Sequence, residues 1–124
     1  MIERNTRQRD AIRLAFQTAG RPLNAQEAHD LAARTVTGIG IATIYRNIKT
    51  FVDEGELAVV ELPGEPPRYE VTGLAHHHHF RCSACDKVFD IPGCPGKLQS
   101  LLPAGYQLDS HEVYFRGRCP SCAD

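Results

Sequence analysis

Apolar residues recur at helical spacing through the first fifty positions. Ile12, Ala15, Phe16 and Ala19 form one stripe, closed by Gly20, and Asn5 with Gln8 has the spacing of a capping box ahead of it. Pro22 precedes a second box, Asn24 with Glu27, and a second stripe, Ala25, Ala28, Leu31 and Ala32. Two glycines make residues 35–40 a turn. A third helix follows, with Ile44, Ile48, Phe51 and Val52 inward and Gly55 at its C-terminal end. That register turns Thr43, Arg46, Lys49 and Thr50 outward, with Tyr45 at the flank. The pattern then shortens to strand character over 57–62, breaks at the turn 63–67 and resumes over 68–71. Three helices and a hairpin give the order of a winged helix-turn-helix, in which the third helix enters the major groove.

Residues 72–75 read as a hinge. Beyond it the pattern predicts strands at 77–82 and 87–91 and a short helix at 97–102. An alternating stretch at 107–116 carries His111, Val113 and Phe115 on one face. The predicted class is α+β: a winged-helix DNA-binding domain over 1–71, a hinge over 72–75, and a small α/β domain over 76–124. A core of about fifty residues is marginal alone, so metal and dimerisation are its expected supports.

Composition changes this picture in three places. No apolar run approaches the ~20 residues of a membrane span, and the first residues lack the apolar stretch of a signal peptide. A cytoplasmic protein with no membrane partner is expected. The net charge of −1 argues against a nucleic-acid binder, but the distribution does not. Residues 1–50 hold eight basic and four acidic side chains, whereas 53–70 are acidic apart from Arg68. The five cysteines include two Cys-x-x-Cys pairs, Cys82/Cys85 and Cys119/Cys122, leaving Cys94 over.

Four thiolates close the tetrahedron of a structural zinc with no open position, so this site does no hydrolysis. The alternative, a redox pair, lacks its strand–helix setting. The run His76-His77-His78-His79 abuts the first pair. On a strand His77 and His79 share one face, and His76 and His78 the other. Glu70 is a candidate to join His77 and His79, with Asp90 and Cys94 as further candidates on that side. His111 is a candidate to join His76 and His78. Cys94 reads equally as a small apolar side chain.

These motifs resemble the ferric uptake regulator family of metal-dependent repressors over nearly the whole chain. The resemblance rests on residues 41–48, similar to the family's recognition helix, on Tyr69-Glu70-Val71, on the run from His76 to Cys85 and on Cys119-x-x-Cys122. It implies a homodimer bound to double-stranded operator DNA. Tyr45 and Arg46 would contact the major groove, and Arg4, just ahead of helix 1, would turn toward the minor groove. It implies structural zinc at Cys82, Cys85, Cys119 and Cys122, a sensory site at Glu70, His77 and His79, and an additional site at His76, His78 and His111. The chain departs from the family in three places. Pro22 stands where many members carry a histidine ligand. No cysteine lies near Thr72, unlike zinc-sensing members. The segment after Asp90 is short, with Lys97 near a family glutamate and Cys94 as its possible substitute.

The expected function is metal-dependent repression of metal-uptake genes, with no small-molecule substrate. Thr43 and Lys49 join Tyr45 and Arg46 on the DNA face, and Arg9 joins Arg4 as a phosphate candidate. A nitrogen-rich site with a thiolate points first to zinc as the sensed metal, in the zinc-uptake branch, with iron(II) or manganese(II) as alternatives. The rivals are a peroxide-responsive member of the family, a zinc-stapled protein-interaction module, and a metalloenzyme. The last lacks a His-Glu-x-x-His motif.

Overall fold

In the computed structural model, which describes residues 2–123 (residue 2 for its backbone only), α1 spans Ile2–Ala19. It starts before the expected cap: Asn5 and Arg4 lie inside the helix, not ahead of it. Glu3 sits in its first turn, where the helix dipole favours a negative charge. A cap-like spacing at Asn5 yields to residues that extend the helix backward. Gly20, at φ +66°, ends it.

Helix α2 (Ala25–Ala32) opens on the expected reciprocal box. The Glu27 N–H donates to Asn24 Oδ1 at 2.8 Å, and the Asn24 N–H donates to Glu27 Oε1 at 3.0 Å. Helix α3 (Ile41–Asp53) buries Ile44, Ile48 and Phe51. Strands β1 (Leu57–Val60) and β2 (Arg68–Val71) pair antiparallel; β1 stops two residues earlier than expected. Leu23 adds a single bridge to Tyr69, exchanging two backbone hydrogen bonds of 2.9 Å that tie the start of α2 to the wing. Ile12, Leu23, Ile44 and Phe51 are fully enclosed, with Phe16, Ala28 and Leu57 around them.

The chain divides into two compact units, Met1–Gly73 and Leu74–Asp124. Thr72 still belongs to the first, donating from Oγ1 to the Gly55 carbonyl at 2.7 Å. The second unit is a three-stranded sheet. Strand β3 (His77–Cys82) runs antiparallel to β4 (Val88–Pro92) and parallel to β5 (Tyr114–Gly117). The helix expected at 97–102 is one 3-10 turn, Leu98–Leu101. The strand expected from 107 begins only at Tyr114, so His111 and Val113 lie on irregular backbone before it. In this unit the buried apolar side chains among the described residues are Cys82, Val88 and Cys119. Across the described residues no helix is long and apolar enough to cross a membrane.

Candidate metal centres and nucleic-acid face

The turn after β3 and the segment after β5 bring both Cys-x-x-Cys pairs together. All four sulfurs lie within 4.8 Å of one another, and Cys85 Sγ is 3.9 Å from Cys119 Sγ. Four zinc–sulfur bonds of ~2.3 Å give a tetrahedron edge of about 3.8 Å, so the cage has the right size. Backbone N–H groups of Cys119 and Cys85, each 3.4 Å from Cys82 Sγ, hold that thiol down to about 6. Cys122 keeps its proton to share with the Cys119 and Cys82 sulfurs, which pushes it up to about 12. A divalent cation held by the four sulfurs would displace the proton that Cys122 retains.

Strand alternation sorts the histidines as expected. Asp90 pairs directly across from His79 in β4, on the face that His77 shares. Both His77 Nε2 and His79 Nε2 stand 3.3 Å from Asp90 Oδ1. His77 Nδ1 is 2.8 Å from the Ala75 carbonyl, which can only accept. Nδ1 therefore carries the ring proton, and in the neutral ring the Nε2 lone pair faces a carboxylate oxygen. A divalent cation held between them would relieve that opposition of lone pairs. A backbone carbonyl orienting the distal N–H is the usual support of a metal-binding imidazole. The donors thus fit a divalent cation.

On the other face His78 is buried, and its ring packs against His76 at 4.6 Å and His111 at 5.2 Å between centroids. Burial first, then the neighbouring His76 and His111, lowers its pKa. His76 Nε2 lies 3.3 Å from His111 Nε2. Cys94 is here, its sulfur 3.0 Å from His111 Nε2, and not beside His77 and His79. The chain turns back after β4 through Gly93 and Gly96, both at positive φ, and this carries Cys94 across. The remaining histidine, His29, is structural: its Nε2 meets the Ile39 carbonyl at 2.9 Å.

Glu70 occupies β2 in the first unit, opposite Ala58. The outward face of α3 carries Tyr45, 57% exposed, with Arg46 and Lys49 also exposed and Thr43 half-buried. Arg46 Nη2 donates to Thr43 Oγ1 at 3.1 Å, and Lys49 Nζ reaches Asp53 at 3.0 Å. A polar cleft of about 430 Å³ separates α1 from α3, lined by Asn5, Gln8, Arg9, Arg46, Asn47 and Thr50 among others. Sequence reading missed Asn5 and Asn47 as cleft residues. The polar positions 5, 8 and 9 at helical spacing were the available signal. Arg4 is exposed in the first turn of α1.

Residues 3–116 match the ferric uptake regulator family. A ferric uptake regulation protein of Synechococcus elongatus is 31% identical over 130 residues, spanning 96% of this chain and 85% of its own. One from Staphylococcus aureus is 33% identical over 103 residues, spanning 82% of this chain and 75% of its own. The crystal structure of the Vibrio cholerae ferric uptake regulator is similar at a TM-score of 0.72 and 27% identity, covering 90% of this chain and 88% of that one. With the match running nearly end to end over a helical unit and a cysteine- and histidine-bearing sheet, this chain belongs to the ferric uptake regulator family of metal-responsive transcription regulators.

Proposed function

We propose that the chain is a metal-dependent repressor of metal-uptake and homeostasis genes, binding a pseudo-palindromic operator as a homodimer when a sensory divalent cation is held. The observation that carries this reading is the His77 tautomer, whose Nε2 lone pair faces the Asp90 carboxylate at 3.3 Å. In this reading Cys82, Cys85, Cys119 and Cys122 hold structural zinc. Glu70, His77, His79 and Asp90 hold the sensory cation, and His76, His78 and His111 an additional ion. Because Glu70 belongs to the DNA-binding half of the sequence, its ligation links metal to the wing. Thr43, Tyr45, Arg46 and Lys49 read the operator, while Arg4 and Arg9 meet phosphates.

Switching requires the cation to favour the DNA-competent state. A coupling of ~1–3 kcal/mol changes operator affinity about 5–150-fold. Zinc is the first reading of the sensed metal. Iron(II), with manganese(II) beside it, is the second, favoured by the oxygen donor Asp90 next to His77 and His79, with the other candidate on that side, the Cys94 thiolate, at His111 instead. The test is operator binding in buffered series of zinc, iron(II) and manganese(II), with the cysteine-bound zinc retained throughout. One metal should raise affinity within that range at cellular free levels. Equal affinity after the sensory cation is stripped overturns the switch.

A further inference from the structure

We propose that Cys94 is a metal ligand, and that His76, His78, Cys94 and His111 form a closed nitrogen-and-sulfur site that selects zinc over iron(II) and manganese(II). This deepens the additional site of the reading above by supplying its fourth donor and its metal class.

All four residues lie in the second unit, and their donor atoms are within 4.8 Å of one another. Zinc–nitrogen bonds of ~2.0–2.1 Å predict a nitrogen–nitrogen edge of about 3.3 Å. His76 Nε2 and His111 Nε2 are 3.3 Å apart. The nitrogen–sulfur edge should be about 3.6 Å, whereas Cys94 Sγ stands 3.0 Å from His111 Nε2. The sulfur must therefore withdraw by roughly half an ångström to coordinate zinc. It is free to do so, because Cys94 is exposed on backbone outside any helix or strand, between Gly93 and Gly96.

His78 supplies an independent observation. It is 3% exposed, and its Nε2 is buried with no hydrogen-bond partner. Its Nδ1 accepts from the Val113 N–H at 3.0 Å. A cation on His78 takes that acceptor away, either by binding Nδ1 or by binding Nε2 and leaving the ring proton on Nδ1. Four donors complete a tetrahedron, and a thiolate among three imidazoles suits zinc and disfavours harder ions. On the opposite face of β3 the partner of the histidines is a carboxylate, Asp90. One strand thus offers two donor sets of different hardness.

The test uses the full chain carrying zinc at the four-cysteine site only. Cys94 is then the exposed thiol, and its alkylation by iodoacetamide is followed by mass spectrometry with zero to two added equivalents of zinc or manganese(II). Near-full zinc occupancy should slow the reaction at least about tenfold, and manganese(II) should leave it unchanged. His76→Ala, at an exposed position before β3, should abolish protection. The Val113 amide resonance should move on zinc loading. Unslowed alkylation with the added zinc demonstrably bound overturns the proposal, as does equal protection by manganese(II). An unmoved Val113 resonance removes His78 and with it the four-ligand site. The readout involves no DNA. Protection without metal-dependent operator binding would therefore retain this site and discard the repressor reading.

Discussion

Removing the zinc proposed for the four-cysteine cage should unfold the second unit and leave the first folded. The two units differ in what holds them. The first encloses Ile12, Leu23, Ile44 and Phe51, with Phe16, Ala28, Leu57 and others around them. In the second, the buried apolar side chains among the described residues are Val88, Cys82 and Cys119, two of which are cage residues. Burying Val88 contributes only ~1.5–3 kcal/mol. Ordering the backbone costs ~1–2 kcal/mol per residue, and a structural zinc site returns an apparent ~10–16 kcal/mol at neutral pH. Metal binding is therefore the largest single stabilising contribution available to residues 74–123. The assay is limited proteolysis with mass spectrometry, before and after chelation under reducing conditions, with residual zinc measured in parallel. A resistant fragment ending near Gly73 should persist while the remainder is digested. If the second unit keeps its protection with under about a tenth of its zinc left, other contacts carry that unit and the reasoning fails.

Three further outcomes follow from the same geometry. Arg46→Ala should lower operator affinity by ~1–3 kcal/mol and relax preference at one base position, whereas Lys49→Ala should weaken all sequences alike and reduce the salt slope by about one; fluorescence anisotropy across a salt series separates them, and identical behaviour of the two variants would contradict the assignment. Asn24→Ala removes the side-chain arm of the α2 capping box, leaving the backbone N–H of residue 24 to donate to Glu27, and should cost about 1 kcal/mol in denaturant unfolding of the first unit; a loss of under a few tenths would mean that the remaining arm and the Leu23–Tyr69 pairing fix the helix start. The Arg13 guanidinium, hydrogen-bonded to Glu56 at 2.9 Å, holds that carboxyl below the usual glutamate range. Its contribution is present above the unfolded glutamate pKa and is lost as pH falls through the folded value, so the melting-temperature gap between wild type and Glu56→Gln should shrink on acidification from neutral pH, and a constant gap would refute it.

What was legible in the sequence was whatever depends on local period. The α2 box, the inward stripe of α3 and the two-face division of His76 to His79 are all short-range geometry, and the structure repeats them. What was not legible depends on contacts between distant residues or on chain reversals. Asn5 has a cap's spacing but sits inside α1, because residues 2–4 extend the helix past it. The single Leu23–Tyr69 bridge has no periodic signature at all. Asp90 could be matched to His79 only once the β3–β4 register was known.

Cys94 shows how such a reversal changes chemistry. Counting along the sequence set it beside Asp90, four residues earlier, and so among the candidates for the His77 face. The turn through Gly93 and Gly96 delivers its sulfur to His111 instead. The consequence is a change in donor hardness on both faces of β3. The His77 and His79 face keeps the expected candidate Asp90 and loses the candidate Cys94, which weakens the argument that made zinc the first choice for the sensed metal. The His76 and His78 face gains the thiolate, so the preference for zinc passes to the site that lacks Glu70. Ligand chemistry and metal response therefore separate. On the proposed reading, the zinc-selective set of His76, His78, Cys94 and His111 and the metal-responsive set that includes His77, His79 and Asp90 take alternate histidines of one run, and metal affinity measured on the whole chain would report their sum.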